Sequence, residues 1–392
     1  MSTRFAWIFG FLALVSIGFL IACGSHYSSS SDGLLLIPSQ GSTVIQTFSF
    51  NLSSGRAAAI NKPPVAPGVP SSIILDPTGS FAYVIVANNS IAAYKVNSDG
   101  TLTSAGTPTT GSKLAPVALA MDSAGKYLFV ANGIGASISV LSIGSGGALT
   151  LVGSTSLLAQ PPVPPNFVAL AVTPTVFPSQ NASCSSRTPQ SAEYLYVADS
   201  ANDTVWEFSI NPSSGALGNP PNFTSIPGFT TGSVPSGVAV DACNRFVFVA
   251  NQNSNDVNGF TMCNGTVTQS STCPSIPDGS LVSVGAAMGA GNGPAALAVD
   301  PLGNYLYVVN KLAGSVSSYR ISQATGTLTS LSTTATGSTP VAIAIRGDDN
   351  WVFVSDYASA SVSQYALTPG SGAITPQAPI TTDNYPWGVA VK

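Results

Sequence analysis

Short apolar runs recur along the chain, each introduced by a proline, and small residues alternate with large ones within them. The clearest runs lie at residues 118–121, 237–240, 296–299 and 342–345. Alternation of period two is typical of a strand, because successive side chains point to opposite faces of the sheet. The small residues suit a strand that is crowded near a central axis, so we assign these runs as innermost strands.

Three further strand-like phrases follow each run. A turn such as residues 122–125 or 300–303 leads into a second strand of pattern aromatic-x-aromatic-Val, which ends in Asn or Asp. Asp can accept hydrogen bonds from amides ahead of it in such a turn, and glycine supplies a positive φ. A β-branched-x-x-aromatic phrase then forms a third strand, and a glycine turn introduces a fourth. Four strands per repeat is the pattern of a propeller blade.

The repeat wraps from one end of the chain to the other. Seven prolines introduce it: Pro70, Pro116, Pro165, Pro235, Pro294, Pro340 and Pro386. Only residues 387–392 follow the last one, enough for one inner strand, whereas residues 34–37 and 45–48 imitate a second and a third strand. Such wrapping describes a closed ring that hides two sheet edges. The sequence therefore predicts an all-β fold: a seven-bladed β-propeller of four-stranded blades over residues 34–392, its last blade closed by both termini.

Two copies of the second-strand phrase, residues 305–310 and 127–132, carry a family resemblance. They resemble the YVTN-type repeats of seven-bladed propellers, a group that includes lactonase-like propellers of the 6-phosphogluconolactonase type. The resemblance covers essentially the whole mature chain and implies the propeller fold. Because the matching residues are turn and packing positions, it says less about activity.

The N-terminal residues have the features of an export signal. Arg4 precedes an apolar stretch over residues 5–22, and Cys23 follows that stretch directly. The end of the run resembles the lipobox of bacterial lipoproteins, so we expect a lipoprotein signal peptide at 1–22, a lipidated Cys23 and a flexible tether to residue 33. The alternative is an uncleaved membrane helix. By resemblance to Gram-negative sorting, Gly24 favours the outer membrane, so we expect an exported lipoprotein of the cell envelope, bound to the membrane through its lipid anchor.

Composition limits the classes of partner. Only 7% of the residues are charged and the formal net charge is −4, so no basic surface is available for a phosphate backbone. Nucleic acid is therefore not an expected partner. The 38 glycines and 29 prolines predict many turns and little helix.

Four cysteines lie in and near the two longest repeats. Cys184 falls in an insertion at residues 175–191, Cys243 in the equivalent hairpin of the next blade, and Cys263 and Cys273 in a later connection of that blade. Topology favours the pairs Cys184 with Cys243 and Cys263 with Cys273, in keeping with an oxidising compartment. Zinc is the alternative use, but no Cys-x-x-Cys spacing is present. We expect neither a metal nor a cofactor.

Polar residues at the ends of second strands form the candidate binding site. Propellers commonly bind ligands at one end of the channel, near these positions. The candidate ligand-binding residues are Asn132, Asp199, Asn251, Asn310, Lys311, Asp356 and Tyr357. The alternative interpretation is that Asn and Asp simply cap the turns there.

Groups suited to catalysis are scarce. The only histidine is His26 in the tether, the only glutamates are Glu193 and Glu207 in strands, and several aspartates are used in hairpin turns. No motif supplies the base or acid that lactone hydrolysis needs, so catalytic residues cannot be assigned. We therefore expect a non-catalytic binding or scaffold module with a protein or carbohydrate ligand. A lactonase-like hydrolase of sugar lactones is the alternative, and a purely structural envelope component is the third possibility.

Overall fold

Seven antiparallel sheets surround a central channel in the computed structural model of the chain. The structure describes residues 32–60, 63–87, 89–107, 109–110, 115–133, 136–157, 163–174, 192–219, 227–263, 273 and 278–392. In each sheet four strands are hydrogen-bonded in order from the channel outward. The predicted seven-bladed propeller of four-stranded blades is thus confirmed.

The strands follow the repeat closely. The N-terminal strands are β1 (Asp32–Pro38), β2 (Ile45–Asn51) and β3 (Ala57–Ala59). Blade 1 contains β4 (Pro70–Leu75), β5 (Phe81–Val86), β6 (Ser90–Val96), β7 (Leu102–Ser104) and an added edge strand β8 (Thr109–Thr110). Blade 2 contains β9 (Pro116–Met121), β10 (Tyr127–Asn132), β11 (Ser137–Ile143) and β12 (Leu149–Ser156). Blade 3 contains β13 (Phe167–Val172), β14 (Glu193–Asp199), β15 (Thr204–Ile210), β16 (Leu217–Gly218) and β17 (Gly228–Thr230).

The remaining blades complete the ring. Blade 4 contains β18 (Pro235–Val240), β19 (Phe246–Asn251), β20 (Asp256–Met262), β21 (Leu281–Ser283) and β22 (Met288–Gly289). Blade 5 contains β23 (Pro294–Val299), β24 (Tyr305–Asn310), β25 (Ser315–Ile321) and β26 (Leu328–Ala335). Blade 6 contains β27 (Pro340–Ile345), β28 (Trp351–Asp356), a 3-10 turn (Tyr357–Ser359), β29 (Ser361–Thr368), β30 (Ala373–Pro376) and β31 (Ile380–Thr381). The final strand is β32 (Ala390–Val391), the inner strand of blade 7.

Blade 7 is assembled from the two ends of the described chain. The strand order β3-β2-β1-β32 places the C-terminal strand on the inner edge of the N-terminal hairpin. Leu34 and Lys392 exchange two backbone hydrogen bonds, with N to O distances of 3.2 and 2.9 Å, and Trp387 N donates to Pro38 O at 3.0 Å. Closure by both termini therefore occurs as the sequence predicts, and it leaves no open edge at that seam.

The second strands build a separate core between each pair of neighbouring blades. In the core between blades 5 and 6, Tyr305 and Tyr307 from β24 pack with Val352 and Val354 from β28. The other face of β24, with Leu306, packs toward blade 4. Because side chains alternate along a strand, one face supplies aromatic rings to one neighbour and the other face supplies aliphatic groups to the opposite neighbour. This arrangement explains the aromatic-x-aromatic spacing.

The inner hairpins are fixed by the aspartates that open them. Asp300 Oδ1 accepts hydrogen bonds from Asn304 N at 2.6 Å and from Tyr305 N at 2.7 Å, while Gly303 has a φ of 69°. A carboxylate that satisfies two turn amides and a residue in the left-handed region together stabilise the turn. Within the described residues, helix is limited to 3-10 conformation, in the turn of blade 6 and at Cys273. No helix among them has the length and apolar character to span a bilayer.

Candidate functional site

The inner strands line a channel cavity of about 470 Å³. The prolines that introduce the repeats are called anchor prolines here. Because inner and second strands are antiparallel, the anchor prolines lie at the same end of the channel as the Asn and Asp that end the second strands. We call this end the proline mouth. The opposite end, formed by the hairpins between inner and second strands, is the hairpin mouth.

The five predicted Asn and Asp side chains of the ring are fully buried in their own blades. Their exposed fraction is 0% for Asn132, Asp199, Asn251, Asn310 and Asp356. Asn310 Nδ2, for example, donates to serine hydroxyls of the next strand at 3.2 and 2.9 Å. Asn132 and Asn251 likewise donate to acceptors at the start of the third strand. These five side chains tie second strands to third strands, and the structure does not gather them around a cavity.

The two aspartates of this set have similar roles. Asp199 Oδ2 accepts from Trp206 Nε1 at 3.0 Å, and Asp356 Oδ2 accepts from Ser363 N and Oγ at 3.0 and 2.7 Å. Burial raises the pKa of Asp356 to about 6, although the hydrogen bonds from Ser363 oppose the shift. An acid enclosed in this way holds its loop in place and has no route to a ligand.

Lys311 and Tyr357 are the two predicted residues that reach the proline mouth. Each follows the buried polar residue at the end of its second strand, and both are partly exposed. Lys311 Nζ lies 6.0 Å from the ring centre of Trp387. The Tyr357 ring is 5.4 Å from Trp387 in an edge-on geometry and 4.8 Å from Tyr385. Blades 5, 6 and 7 thus supply a cation beside three aromatic rings, which we call the mouth cluster.

Sequence reasoning missed Trp387 and Tyr385, although a signal was available. Trp387 occupies the position after the anchor proline, where other repeats carry small or aliphatic residues such as Ser236, Ala295 and Val341. All four of these residues line the channel cavity in the structure. A single large aromatic residue at an otherwise small position inside a channel indicates a binding surface rather than packing.

The mouth cluster has the chemistry of a sugar-binding surface. An ammonium group donates hydrogen bonds to hydroxyl or carbonyl oxygens, and aromatic faces cover apolar C–H groups. Gln252 and Ser236 add polar groups to the same cavity. Lys311 is the single ionisable side chain among the described residues that line it.

The hairpin mouth has a larger cavity and more charged residues. Its cavity of about 620 Å³ is lined by Asp76, Thr78, Arg346, Asp348 and Lys392, among other residues. Arg346 pairs with Asp348, and its Nε donates to Lys392 O at 3.3 Å. Asp76 accepts from Thr78 and Phe81 in its own turn. Arg346 and Asp348 thus form an ion pair, and Asp76 is engaged within its own turn. The aromatic rings of the mouth cluster lie at the other end, so we place the candidate site at the proline mouth.

Several acids are buried between blades on the hairpin side. Burial raises the pKa of Asp300 to about 6 and that of Asp349 to about 7, with repulsion from Asp300 as a second cause for Asp349. Burial also raises the pKa of Glu207 to about 8; both of its carboxyl oxygens lack a hydrogen-bond partner in the described structure. Glu193, whose pKa is raised by burial, accepts from Ser123 N at 2.9 Å across the blade interface. Both glutamates are buried between blades and neither lines the channel.

Metal-binding groups and cysteines were also located. Among the described residues, no cluster of three or more His, Cys, Asp or Glu side chains could hold a metal ion. Cys263 and Cys273 form a disulfide with a Cα–Cα distance of 5.1 Å. Cys243 is disulfide-bonded as well. Cys184, its expected partner, lies outside the described residues, as do Cys23 and the leader.

Comparison with known proteins places this architecture in a class. The family model "Lactonase, 7-bladed beta-propeller" matches residues 25–387. The chain therefore belongs to the lactonase family of seven-bladed β-propellers. None of the curated proteins matches the chain.

Solved structures share the fold at low sequence identity. A candidate 6-phosphogluconolactonase of Bacteroides fragilis is 21% identical, with a TM-score of 0.72 over 93% of this chain and 99% of that one. A second such candidate, from Bacteroides uniformis, is 20% identical, with a TM-score of 0.74 over 92% and 100%. The periplasmic gluconolactonase of Pseudomonas aeruginosa is 19% identical, with a TM-score of 0.73 over 92% and 99%. These similarities establish the shared fold.

Proposed function

We propose that the protein is a lactonase-like hydrolase that opens sugar lactones at the proline mouth. The observation that carries the proposal is the position of Lys311 beside Trp387 at the channel mouth of a lactonase-family propeller. Gluconolactonase and 6-phosphogluconolactonase names among its structural neighbours point to the same substrate class. This hypothesis replaces the non-catalytic module as the preferred function.

The chemistry follows from the groups at the mouth. The C–H face of a lactone ring lies against Trp387, and its carbonyl oxygen points to the Lys311 ammonium. Water adds to the carbonyl carbon, and the ammonium stabilises the oxyanion of the tetrahedral intermediate. The ring C–O bond then breaks, the ring oxygen takes up a proton that the attacking water releases, and an open-chain hydroxy acid leaves.

Substitution of Lys311 tests this function. K311M retains the apolar stem and removes the charge, so we expect kcat/KM for glucono-1,5-lactone to fall about 100-fold, the usual cost of one lost oxyanion donor. Proton release at constant pH, corrected for spontaneous opening, measures the rate. Lys95 is exposed on β6 of blade 1, and K95M should match the wild type. Equal rates for K311M and wild type, or no turnover of glucono-1,5-lactone or its 6-phosphate, contradict the proposal.

A non-catalytic carbohydrate-binding module is the second candidate. It is favoured by the cavity lining, which within the described residues contains Lys311 but no carboxylate or imidazole that could act as a base. The same experiment separates the two functions. Saturable binding of the lactone without turnover supports a binding module.

We also propose that the protein is exported and anchored in the cell envelope, at the outer membrane. The Arg4 leader, its apolar stretch and Cys23 support this location. Labelled palmitate should be incorporated into the wild type and not into C23A. Equal labelling of both proteins contradicts an anchor at Cys23.

A further inference from the structure

A recurring hydrogen bond joins neighbouring blades at the proline mouth. In several blades the residue before the anchor proline, here called the lead-in residue, has a left-handed backbone. The lead-in residues with this conformation are Ala115, Val234, Gly293, Thr339 and Tyr385, with φ between 54° and 66°. Valine, threonine and tyrosine rarely adopt this conformation, so the surrounding contacts must hold it in place.

The carbonyl groups of the lead-in residues are all fixed in the same way. Gln252 N donates to Val234 O, Lys311 N to Gly293 O, and Tyr357 N to Thr339 O, at 2.8 to 3.0 Å. The residues that vary from blade to blade at the mouth, including Lys311 and Tyr357, are therefore positioned by their backbone bonds to the lead-in residues.

The N–H groups of the lead-in residues are fixed differently around the ring. Just before the third strand of the preceding blade lies another residue with a left-handed backbone, here called the latch residue. Its side-chain oxygen accepts a hydrogen bond from the N–H of the lead-in residue. Asn89 accepts from Ala115 N at 3.1 Å, Asp203 from Val234 N at 2.7 Å, and Asn255 from Gly293 N at 2.7 Å. Each latch spans two blades, because the lead-in residue belongs to the next one.

The last two latch positions in the chain carry residues that have no side-chain acceptor. The latch positions before blades 6 and 7 are Gly314 and Ala360, which have the same backbone conformation, with φ of 60° and 50°. Within the described chain, the N–H groups of Thr339 and Tyr385 form no hydrogen bond. A Cβ on Gly314 would meet only Gly337 O, at 3.6 Å, so a side chain there would have room beside the lead-in loop of blade 6.

These two unlatched lead-in residues flank the mouth cluster. Thr339 O accepts from Tyr357 N, and the Tyr385 ring packs on the Tyr357 ring. Two backbone donors therefore lie at the mouth cluster in places where other blades fill the same space with an amide or carboxylate oxygen. Tyr385 is exposed and Thr339 is partly exposed, so both donors are open to solvent, and hydroxyl oxygens of a ligand can take the place of water there.

We propose that the N–H groups of Thr339 and Tyr385 are sugar-binding donors that receive hydroxyl oxygens of the lactone ring. The two groups are one blade apart, so they bind separate hydroxyl oxygens and position the ring over Trp387. The proposal rests on the function proposed above and adds a source of specificity: the site selects polyhydroxylated lactones over plain ones.

Restoring the latches tests this assignment. Asparagine tolerates the left-handed conformation, so G314N and A360N should fold, keep or raise the melting temperature, and occupy the space of the ligand hydroxyl. Calorimetry with glucono-1,5-lactam, which resists hydrolysis, should show at least tenfold weaker binding for each variant. The matched controls G314A and A360G add no acceptor and should bind within twofold of the wild type.

A remote latch provides the opposite control. N89A removes the acceptor between blades 1 and 2, so it should lower the melting temperature without changing lactam affinity. Unchanged affinity in both G314N and A360N overturns the proposal, even if the wild type hydrolyses lactones. Loss of affinity in these variants supports it, even if no turnover is found. A wild type that fails to bind the lactam also overturns it.

Discussion

Asp349 on the hairpin side offers a direct test of how the blades are held together. The residue is 5% exposed, its Oδ1 has no hydrogen-bond partner in the described structure, and its carboxylate is repelled by Asp300 of the neighbouring blade. Asn244 occupies the equivalent turn position in blade 4, with the same left-handed backbone, and its Nδ2 donates to Pro174 O at 2.6 Å. The substitution D349N therefore replaces a buried acid, which is repelled by its neighbour, with the amide that blade 4 has at the equivalent position.

The size of the effect follows from the shifted pKa. The pKa of Asp349 is about 7 in the folded protein, against an ordinary value of 3.8. Because the folded pKa is raised, the contribution of Asp349 to stability is fully present below pH 4 and is lost as the pH rises toward 7. A shift of about three pKa units corresponds to at most about 4 kcal/mol. The adjacent residue Asp348 lines the open hairpin mouth, where water screens charge, so we expect about 2 kcal/mol.

Denaturant unfolding of wild type and D349N at pH 4 and pH 8 measures this difference. D349N should be more stable by about 2 kcal/mol at pH 8 and within about 0.5 kcal/mol at pH 4. The exposed neighbour supplies a control, because D348N should change stability by less than about 0.5 kcal/mol at either pH. Parallel pH profiles for wild type and D349N would refute the reasoning.

Two further predictions concern buried charges. Burial raises the pKa of Glu207 to about 8, so E207M should remove the part of the stability loss that Glu207 contributes between about pH 4.5 and pH 8, while the part from Asp349 remains. Denaturation midpoints should fall less steeply across that range, and an unchanged slope contradicts the assignment. Arg245 is buried with its Nε 2.6 Å from Asp241 and an Nη2 bond to Gly303 O across the blade interface. R245M should cost about 3–5 kcal/mol of unfolding free energy, because Asp241 keeps an unpaired buried charge. The double variant D241N/R245M should recover part of that loss, and no recovery counts against the pairing.

The repeat predicted the fold because the relevant forces are local. The Asp turns and the aromatic-x-aromatic strands depend on residues close together in sequence, whereas the split seventh blade follows from the count of repeats and their wrapping from one end of the chain to the other; the structure contains all three. The candidate site depends on burial, which the sequence does not show. Asn132 and Asn310 recur in the sequence because they cap strands, and their burial could not be distinguished from a polar ligand surface without coordinates.

The mouth cluster depends on contacts between distant parts of the chain. Lys311 and Tyr357 were expected at the channel end, but Trp387 and Tyr385 join them only when the C-terminal segment completes blade 7. The latch residues were missed for a related reason. Gly314 is an ordinary turn glycine in the sequence, and the missing hydrogen-bond acceptor is recognised only by comparison with the asparagines at equivalent positions of other blades. The scarcity of acids and imidazoles favoured a non-catalytic module, whereas membership of the lactonase family favours the hydrolase.

A crystal structure of the protein with bound glucono-1,5-lactam tests the central claim most directly. The proposed site predicts the ring against Trp387, its carbonyl oxygen at hydrogen-bond distance from Lys311 Nζ, and hydroxyl oxygens near the N–H groups of Thr339 and Tyr385. Lactam bound instead at the hairpin mouth, beside Arg346 and Asp76, or no bound lactam at saturating concentration, would contradict a sugar-lactone site at the proline mouth.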